Sequence, residues 1–126
     1  MASSSIFHEC ESNLDLGFLE KTEPWLLASR FFPSKVGGRP SWLDLKNIPQ
    51  ELKCEKEKCG KPLTFLLQIY APIENDAKCF HREIFVFMCS EVSCHQGDST
   101  PFRVLRNQLC HKNEFYPQEP PQGDLN

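Results

Sequence analysis

Two apolar segments of strand length, residues 63–71 and 83–89, stand out along the chain. Each is rich in aromatic and branched side chains and is bounded by turn-forming residues, which is typical of β-strands. Only a short polar stretch separates them. We therefore predict that the two segments pair as an antiparallel hairpin.

Both faces of this hairpin carry apolar side chains. With strict alternation, one face of the first strand holds Leu63, Phe65, Leu67 and Ile69, and the other holds Leu66 and Tyr70 with Thr64 and Gln68. The second strand divides into Phe85 and Phe87 on one side and Ile84, Val86 and Met88 on the other. A hairpin that is apolar on both faces belongs in the middle of a sheet or between two layers.

The remaining apolar segments predict little helix. Residues 102–109 form a third candidate strand, in which Phe102 and Val104 are expected to point inward and Arg103 outward. Residues 23–32 have Pro24 near their start and no clean period, and we predict a short strand or extended structure there. The sequence contains no internal repeat and no long amphipathic helix.

The two ends of the chain differ from its middle. Residues 1–15 are polar and rich in serine, which predicts a flexible N-terminus, and residues 118–126 form a Pro-rich linker or tail. The 126 residues suit a single domain. We predict one β-rich domain over residues 16–117.

Charge and cysteine content narrow the function. The chain has 14 basic and 17 acidic residues, so no global attraction to nucleic acid or to an anionic membrane is expected. The N-terminus lacks the pattern of a secretory signal, and no run approaches the roughly 18 apolar residues of a membrane span. These features predict a soluble intracellular protein with no membrane partner. In a reducing compartment, seven cysteines favour metal binding over disulfides.

Four of the cysteines form two pairs with identical C-x4-C spacing, Cys54 with Cys59 and Cys89 with Cys94. Each pair lies at the open end of the predicted hairpin, so antiparallel pairing brings the four sulfurs together as in a zinc ribbon. Gly60 supplies the freedom that a knuckle turn needs. Nearby lysines could offset the charge of a zinc tetrathiolate; they are Lys53, Lys56, Lys58 and Lys61. We predict one structural Zn2+ held by these four cysteines.

Other readings of the cysteines and histidines remain open. The paired cysteines could be buried free thiols or a redox pair, and His95, next to Cys94, could replace one ligand. Cys79 and His81 lie at the far end of the hairpin, where a structural role is expected. A second, weaker site could involve residues outside the pattern, namely His8, Cys10, Cys110 and His111.

Residues 31–43, FFPSKVGGRPSWL, are here called the signature segment. Its lysine and glycines suggest a phosphate-binding loop, but Lys35 precedes Gly37 and Gly38, and Pro40 biases Arg39 toward an extended conformation. The glycines therefore predict a turn anchored by the flanking aromatic residues. Lys35 and Arg39 are expected to be exposed and open to a partner.

No catalytic arrangement is recognisable. Cys110 and His111 are sequence neighbours without an orienting third residue, and a tetrathiolate leaves no open position on zinc for water. We expect a non-enzymatic protein without a small-molecule substrate. Nucleic-acid binding is the rival class, because residues 102–116 interleave Arg103, Arg106 and Lys112 with Phe102, Phe115 and Tyr116.

Several long motifs follow one another along the chain: LGF (residues 16–18), FPSKVGGRPSWL (32–43), CGKPLTFLLQIYAPI (59–73), FHREIFVFMC (80–89), and FRVLRNQL with KNEFYP (102–117). Together and in this order they resemble the amino-terminal region of the programmed cell death protein 2 family. Family members continue with a MYND-type zinc finger and a carboxy-terminal region. This chain stops before either, so we expect a fragment, a short isoform or one half of a split domain.

The resemblance implies a mainly β fold, a small β-sheet domain with an inserted zinc-ribbon-like hairpin. It also implies a role, in the cytoplasm and nucleus, as a dedicated chaperone for the small-subunit ribosomal protein S-two during ribosome assembly, and a link to programmed cell death. The family's paired cysteines fall on Cys54, Cys59, Cys89 and Cys94. Candidate partner contacts are Lys35, Arg39, Trp42, Arg103 and Arg106.

Overall fold

A computed structural model describes residues 2–7 and 16–120, and within these residues the chain forms one antiparallel sheet of six strands. The strands are β1 (Ala2–Phe7), β2 (Leu16–Lys21), β3 (Lys35–Val36), β4 (Thr64–Tyr70), β5 (His81–Met88) and β6 (Phe102–Leu109). Their order across the sheet is β2-β1-β3-β4-β5-β6. The only helical elements in the described residues are short 3-10 turns. The prediction of a mainly β fold is confirmed.

The predicted hairpin corresponds to β4 and β5. Their pairing runs from Thr64 opposite Met88 to Tyr70 opposite Glu83. The predicted third strand, β6, pairs with β5 along its whole length in a regular register. The hairpin is therefore extended into a three-stranded unit, and β4 continues the sheet on the other side through β3.

A β-bulge in β4 changes which residues share a face. Phe65 pairs with Phe87 and Leu67 pairs with Val86, so Leu66 is an extra residue in the strand. After the bulge the alternation is reversed, and Gln68 lies on the same side as Phe65. The prediction from strict alternation is wrong here, because one inserted residue shifts every following side chain to the other face.

One side of the sheet, here called the covered face, packs against the long segments that precede β4. Its core is formed by Phe65, Phe85 and Phe87, with Trp42 and Leu52 among the residues packed on them. The Trp42 and Phe85 rings are 4.5 Å apart between centroids. Burying each of these phenylalanines stabilises the fold by roughly 2 to 3 kcal/mol.

The opposite side, here called the open face, is apolar but only partly shielded. It consists of Val36, Leu67, Ile69, Ile84, Val86, Met88, Phe102 and Val104, all half-buried or exposed. Phe102 is 41% exposed and Val104 is 59% exposed, whereas Arg103 lies on the covered face opposite Phe87. The predicted orientation of this strand is wrong, because its pairing with β5 sets the faces.

The segment that follows β2 is helical rather than extended. Two 3-10 turns, Pro24–Leu27 and Ser29–Phe31, replace the strand or extended structure predicted over residues 23–32. The amide of Leu26 donates to the carbonyl of Glu23 at 3.0 Å, and equivalent bonds close the second turn. Proline at the first helical position loses no hydrogen bond, so Pro24 favours the turn.

The N-terminal segment contains a strand that the sequence did not predict. Residues 1–15 are expected to be flexible, yet Ala2–Phe7 forms β1, which pairs with β2 and β3. Residues 1, 8–15 and 121–126 of the predicted flexible N-terminus and tail lie outside the described residues. The boundaries of the predicted domain, residues 16–117, stay a prediction.

Candidate metal centre and contact residues

The sulfur atoms of Cys54, Cys59, Cys89 and Cys94 all lie within 4.8 Å of one another. The first pair directly precedes β4, and Cys89 follows the last residue of β5. Cys94 belongs to a short 3-10 turn, Val92–His95. The hairpin therefore brings together the four cysteines that the spacing predicts, and within the described residues no other group of this kind is found.

Both pairs have the same local turn geometry. The amide of Lys56 donates to Cys54 Sγ at 3.5 Å, and the amide of Glu91 donates to Cys89 Sγ at 3.4 Å. In each case the donor lies two residues after the first cysteine, so each loop wraps its amides around a sulfur. Gly60 has a φ of 68°, which confirms that the first turn needs a left-handed residue beside Cys59.

Burial and backbone hydrogen bonds shift the pKa values of three of the thiols, Cys54, Cys59 and Cys94. Cys54, Cys89 and Cys94 are each at most 5% exposed. Burial raises the pKa of Cys54, and it raises the pKa of Cys94 to about 12. The backbone N–H of Lys61 lowers the pKa of Cys59. Four thiolates can coexist in such a site only when a cation neutralises them.

The donor set fits a structural metal ion. Four soft sulfur ligands suit a tetrahedral thiolate site, in which a metal–sulfur distance of about 2.3 Å places the sulfurs roughly 3.8 Å apart. The Sγ atoms of Cys59 and Cys89 are 3.8 Å apart. The cluster is thus compatible with one metal ion per chain.

Charged side chains join the two loops across the site. Lys56 Nζ lies 3.1 Å from a carboxylate oxygen of Asp98, and Lys61 Nζ lies 2.6 Å from one of Glu91. The lysines of the first cysteine loop therefore pair with carboxylates in and just after the second cysteine loop. They could also offset the negative charge of the sulfurs. Both ion pairs are partly exposed to solvent, so they connect the two loops but contribute little to stability.

The other candidate ligands lie outside the cluster. His95 Nε2 lies 2.6 Å from the carbonyl oxygen of Cys89, so this ring nitrogen is engaged in a contact with the backbone. His81 is at the far end of the hairpin, where Nδ1 lies 2.8 Å from the hydroxyl of Tyr70. Further residues of this type are Cys79, Cys110 and His111, none of them in the cluster, while His8 and Cys10 lie outside the described residues.

The structure places Lys35 in the interior, so its predicted exposure is wrong. Lys35 is 6% exposed, and its Nζ donates to Ser41 Oγ at 2.7 Å and to the carbonyl oxygen of Leu27 at 3.3 Å. Gly37 and Gly38 have φ values of 74° and 75°, which confirms the predicted turn. The turn folds the second half of the signature segment back onto the lysine.

The remaining candidates in the signature segment differ in exposure. Arg39 is exposed, whereas Trp42 is half-buried on the covered face. The Oη of Tyr116 donates to the carbonyl oxygen of Trp42 at 3.0 Å, which fixes the backbone of that residue. Trp42 therefore has a packing role, whereas the side chain of Arg39 is exposed to solvent.

Gln68 and Glu83 form a buried polar network that the sequence did not predict. Gln68 is 1% exposed; its Oε1 accepts the amide of Ser41 at 2.8 Å, and its Nε2 donates to the carbonyl of Pro33 at 3.2 Å and to Glu83 Oε1 at 3.2 Å. Gln68 thus attaches the signature segment to the sheet. The signal that could have found it is an amide and a carboxylate within otherwise apolar strands.

The carboxyl group of Glu83 is strongly perturbed. Glu83 is 0% exposed, and burial raises its pKa to about 8, against the opposing effects of the Gln68 hydrogen bond and the positive charge of Lys35. Its Oε2 has no hydrogen-bond partner in the described part of the chain. Glu83 is therefore mostly protonated at neutral pH.

The basic and aromatic residues at 102–116 do not form one continuous surface. Arg103 is on the covered face and is ion-paired with Glu55, whereas Arg106 is exposed on the open face. Tyr116 is buried and Phe115 is half-buried. The pattern that suggested base stacking is thus divided between two sides of the sheet, and nucleic-acid binding stays a prediction.

None of the helical segments in the described residues has the length and apolar character needed to cross a bilayer. No solved structure matches the chain.

Comparison with known proteins gives consistent matches. Residues 13–123 match the family described as programmed cell death protein 2, N-terminal domain. The chain is 49% identical to programmed cell death protein 2 of Rattus norvegicus over 108 residues, which are 86% of this chain and 30% of that protein. It is 48% identical to the Bos taurus protein over 112 residues, 87% of this chain and 31% of that protein.

A more distant relative matches a shorter region. Programmed cell death protein 2-like of Homo sapiens is 36% identical over 86 residues, 68% of this chain and 23% of that protein. The chain spans less than a third of the length of these relatives. Taken with the sheet and the four-cysteine cluster, the matches show that the chain belongs to the programmed cell death protein 2 family and corresponds to its N-terminal domain.

Proposed function

We propose that this chain is a non-enzymatic protein-binding module that acts, in the cytoplasm and nucleus, as a dedicated chaperone for the small-subunit ribosomal protein S-two during assembly of the 40S subunit. The metal of the four-cysteine cluster is zinc in this proposal. Membership of the family supports the choice of client. The observation that carries the proposal is the outer edge of β6.

β6 is the last strand in the sheet and is eight residues long with no bulge in its pairing. The amide of Cys89 donates to the carbonyl oxygen of Pro101 at 2.8 Å, which makes these two a hydrogen-bonded pair. Such pairs recur at every second residue of an antiparallel ladder. The backbone groups of Val104, Arg106 and Gln108 therefore point away from β5.

An edge of this kind is a template for another extended chain. Proteins usually protect long regular edge strands, because their unpaired N–H and C=O groups recruit further strands. Strand addition gives affinity through main-chain hydrogen bonds and needs little sequence specificity. A nascent ribosomal protein offers extended basic segments, and the net charge of −3 on this chain favours their approach.

The metal centre has a structural part in this proposal. Zinc held by the four cysteines would fix the two loops at the end of the β4–β5 hairpin. The second loop leads through the buried Pro101 directly into β6. The position of the β6 edge therefore depends on the loop that Cys89 and Cys94 hold.

Co-expression of the full chain with protein S-two tests the proposal. We expect a soluble complex with the wild-type chain. Val104→Pro should abolish it, because the substitution removes an outward amide without removing a hydrogen bond to β5. Val104→Thr keeps the amide and is the matched control, which should retain the complex.

The metal content and the circular dichroism spectrum of each variant are measured first, so that a loss of folding is not mistaken for a loss of binding. A client that precipitates in the presence of the folded wild-type chain would refute the chaperone role. Equal recovery with Val104→Pro and Val104→Thr would refute strand addition at β6. Tight and steeply salt-dependent binding of RNA by the purified chain would instead favour the nucleic-acid alternative.

A further inference from the structure

The open face presents one continuous apolar row across four strands. Direct cross-strand pairing aligns Val36, Leu67, Val86 and Val104 side by side. Ile69 and Ile84 form a second pair beside this row, and Met88 and Phe102 form a third. The residues of β5 on this face are half-buried, whereas those on the covered face are at most 7% exposed. Within the part of the chain that the structure describes, the sheet is thus covered on one side only.

The charges on this face all have one sign. The strand pairing places three charged side chains on it, Lys21, Arg82 and Arg106, and all are basic. No acidic residue occupies a described strand position on this face, although acidic residues outnumber basic ones in the whole chain. Arg106 and Lys21 are exposed, and no ion pair involves either of them within the described residues.

These charges discriminate between the possible occupants. A second copy of the chain, docked face to face, would bring like charges together on both sides of an apolar interface, which is unfavourable. A basic segment would meet the same repulsion. A partner with carboxylates beside its apolar side chains would be attracted instead.

The shape of the face indicates a helix. The strands β4, β5 and β6 are spaced about 4.8 Å apart, so together they offer a width of roughly 10 Å, which is the diameter of an α-helix with its side chains. Antiparallel sheets commonly bury an apolar face under helices. An eight-residue strand is about 26 Å long, which matches a helix of about 18 residues.

We propose that the open face is a docking site for an acidic amphipathic helix of a partner protein. The apolar stripe of the helix packs on the row that ends at Val104, and carboxylates on its flanks pair with Arg106, Arg82 and Lys21. This site uses side chains on the face of the sheet. It is separate from the backbone edge of β6 and does not depend on the ribosomal client.

Two synthetic peptides of about 18 residues test the charge requirement with the full, metal-loaded chain. Both have a leucine stripe at helical spacing, one with glutamates on its flanks and one with lysines. We expect the glutamate peptide to bind at least about tenfold more tightly in fluorescence anisotropy titrations. Arg106→Glu should weaken its binding by about tenfold and strengthen that of the lysine peptide.

Lys112→Glu is the matched control, because it makes the same charge change at an exposed residue beyond β6. It should leave the affinity for both peptides unchanged. Methyl NMR spectra should show shifts of Val86 and Val104 on binding of the glutamate peptide, and no shift of Leu52, which packs on the covered face. Arg106 and Lys112 are both exposed, so neither variant is expected to unfold.

The proposal is wrong if the two peptides bind equally, or if Arg106→Glu and Lys112→Glu have the same effect. It is also wrong if the wild-type chain dimerises through this face, so that Val104→Ser makes it monomeric without any peptide binding. Binding of a single-stranded RNA, lost in Arg106→Glu while the glutamate peptide does not bind, would assign the face to nucleic acid and overturn the proposal.

Discussion

Replacing Glu83 by glutamine removes one buried titrating group and keeps its shape. Glu83 is 0% exposed and its pKa is raised to about 8, from an ordinary value of 4.5, mainly by burial. Near neutral pH the side chain is mostly protonated, so Glu83→Gln exchanges one neutral group for another. The two proteins should then differ chiefly in how their stability depends on pH.

The sign of this dependence follows from proton linkage. Between pH 4.5 and pH 8 the folded chain holds a proton on Glu83 that the unfolded chain has released, so stability falls as the pH rises. The stability that comes from protonated Glu83 is fully present below the pKa of this group in the unfolded chain. It is lost as the pH rises through the pKa of Glu83 in the folded chain. Between about pH 5.5 and about pH 8.5 this loss amounts to roughly 3 kcal/mol.

Urea unfolding at a series of pH values, with zinc in excess, measures the effect. The free energy of unfolding of the wild type should fall by roughly 3 kcal/mol relative to Glu83→Gln over this range. Lys35, Tyr70 and His81 are present in both proteins. Because Lys35 and Tyr70 interact with the charge of Glu83, the difference reports the ionisation of Glu83 together with this coupling. The control variant Glu51→Gln changes an exposed residue, and its free energy of unfolding should depend on pH in the same way as that of the wild type. Parallel profiles for Glu83→Gln as well would refute the raised pKa.

Three further substitutions test the site and the network. If the cluster holds one zinc ion, as proposed above, Cys54→Ser should lose that ion, measured by elemental analysis, together with cooperative thermal unfolding, whereas Cys110→Ser should keep both. A metal-free chain that unfolds as cooperatively as the loaded one would contradict this. Gln68→Met should lower the free energy of unfolding in urea by roughly 2 to 4 kcal/mol, because it removes the hydrogen-bond partners of backbone groups in the signature segment. Thr64→Met, on the exposed side of the sheet, should change this free energy by no more than about 0.5 kcal/mol. Gly60→Ala should lower the free energy of unfolding by roughly 1 kcal/mol or more, because residue 60 has a positive φ, although the space around the new methyl group is open. Gly60→Asn should lower it by less, since asparagine tolerates a positive φ better than alanine does. Equal losses in the two variants would point to a cause other than φ.

The sequence predicted the features that depend on strong local patterns. The hairpin of β4 and β5 is confirmed because its segments are long, apolar and bounded by turns. The four cysteines follow from that hairpin, since identical spacing at its open end leaves one way to bring the sulfurs together. Both features were predictable because they follow from patterns of neighbouring residues along the chain.

The orientations of side chains on the strands could not be predicted in the same way. β4 and β5 have apolar residues on both faces, so the sequence does not mark which face is buried. The bulge at Leu66 then moved Gln68 inward, and pairing with β5 turned Phe102 and Val104 toward the open face. Register is a property of two strands together, and a one-residue shift reverses every side chain.

The burial of Lys35 depends on long-range contacts that no local pattern encodes. A lysine beside two glycines is usually exposed, but here its Nζ meets Ser41 and Leu27, residues that the turn and the 3-10 segment bring to it. The same holds for Gln68, whose partners lie in the signature segment. Both residues are fixed by tertiary structure.

The buried lysine also makes the signature segment a poor substrate for trypsin while the chain is folded. The Lys35 side chain must leave its hydrogen bonds before it can enter the protease, and the bond after Arg39 is resistant because Pro40 follows it. Lys46 is exposed, and cleavage after exposed Arg30 requires opening only of the short 3-10 turn Ser29–Phe31, in which the amide of Phe31 donates to the carbonyl oxygen of Ala28 at 3.0 Å. Limited digestion should therefore release residues 31–46 as one piece, a fragment whose survival reports the folded state of the segment in any variant.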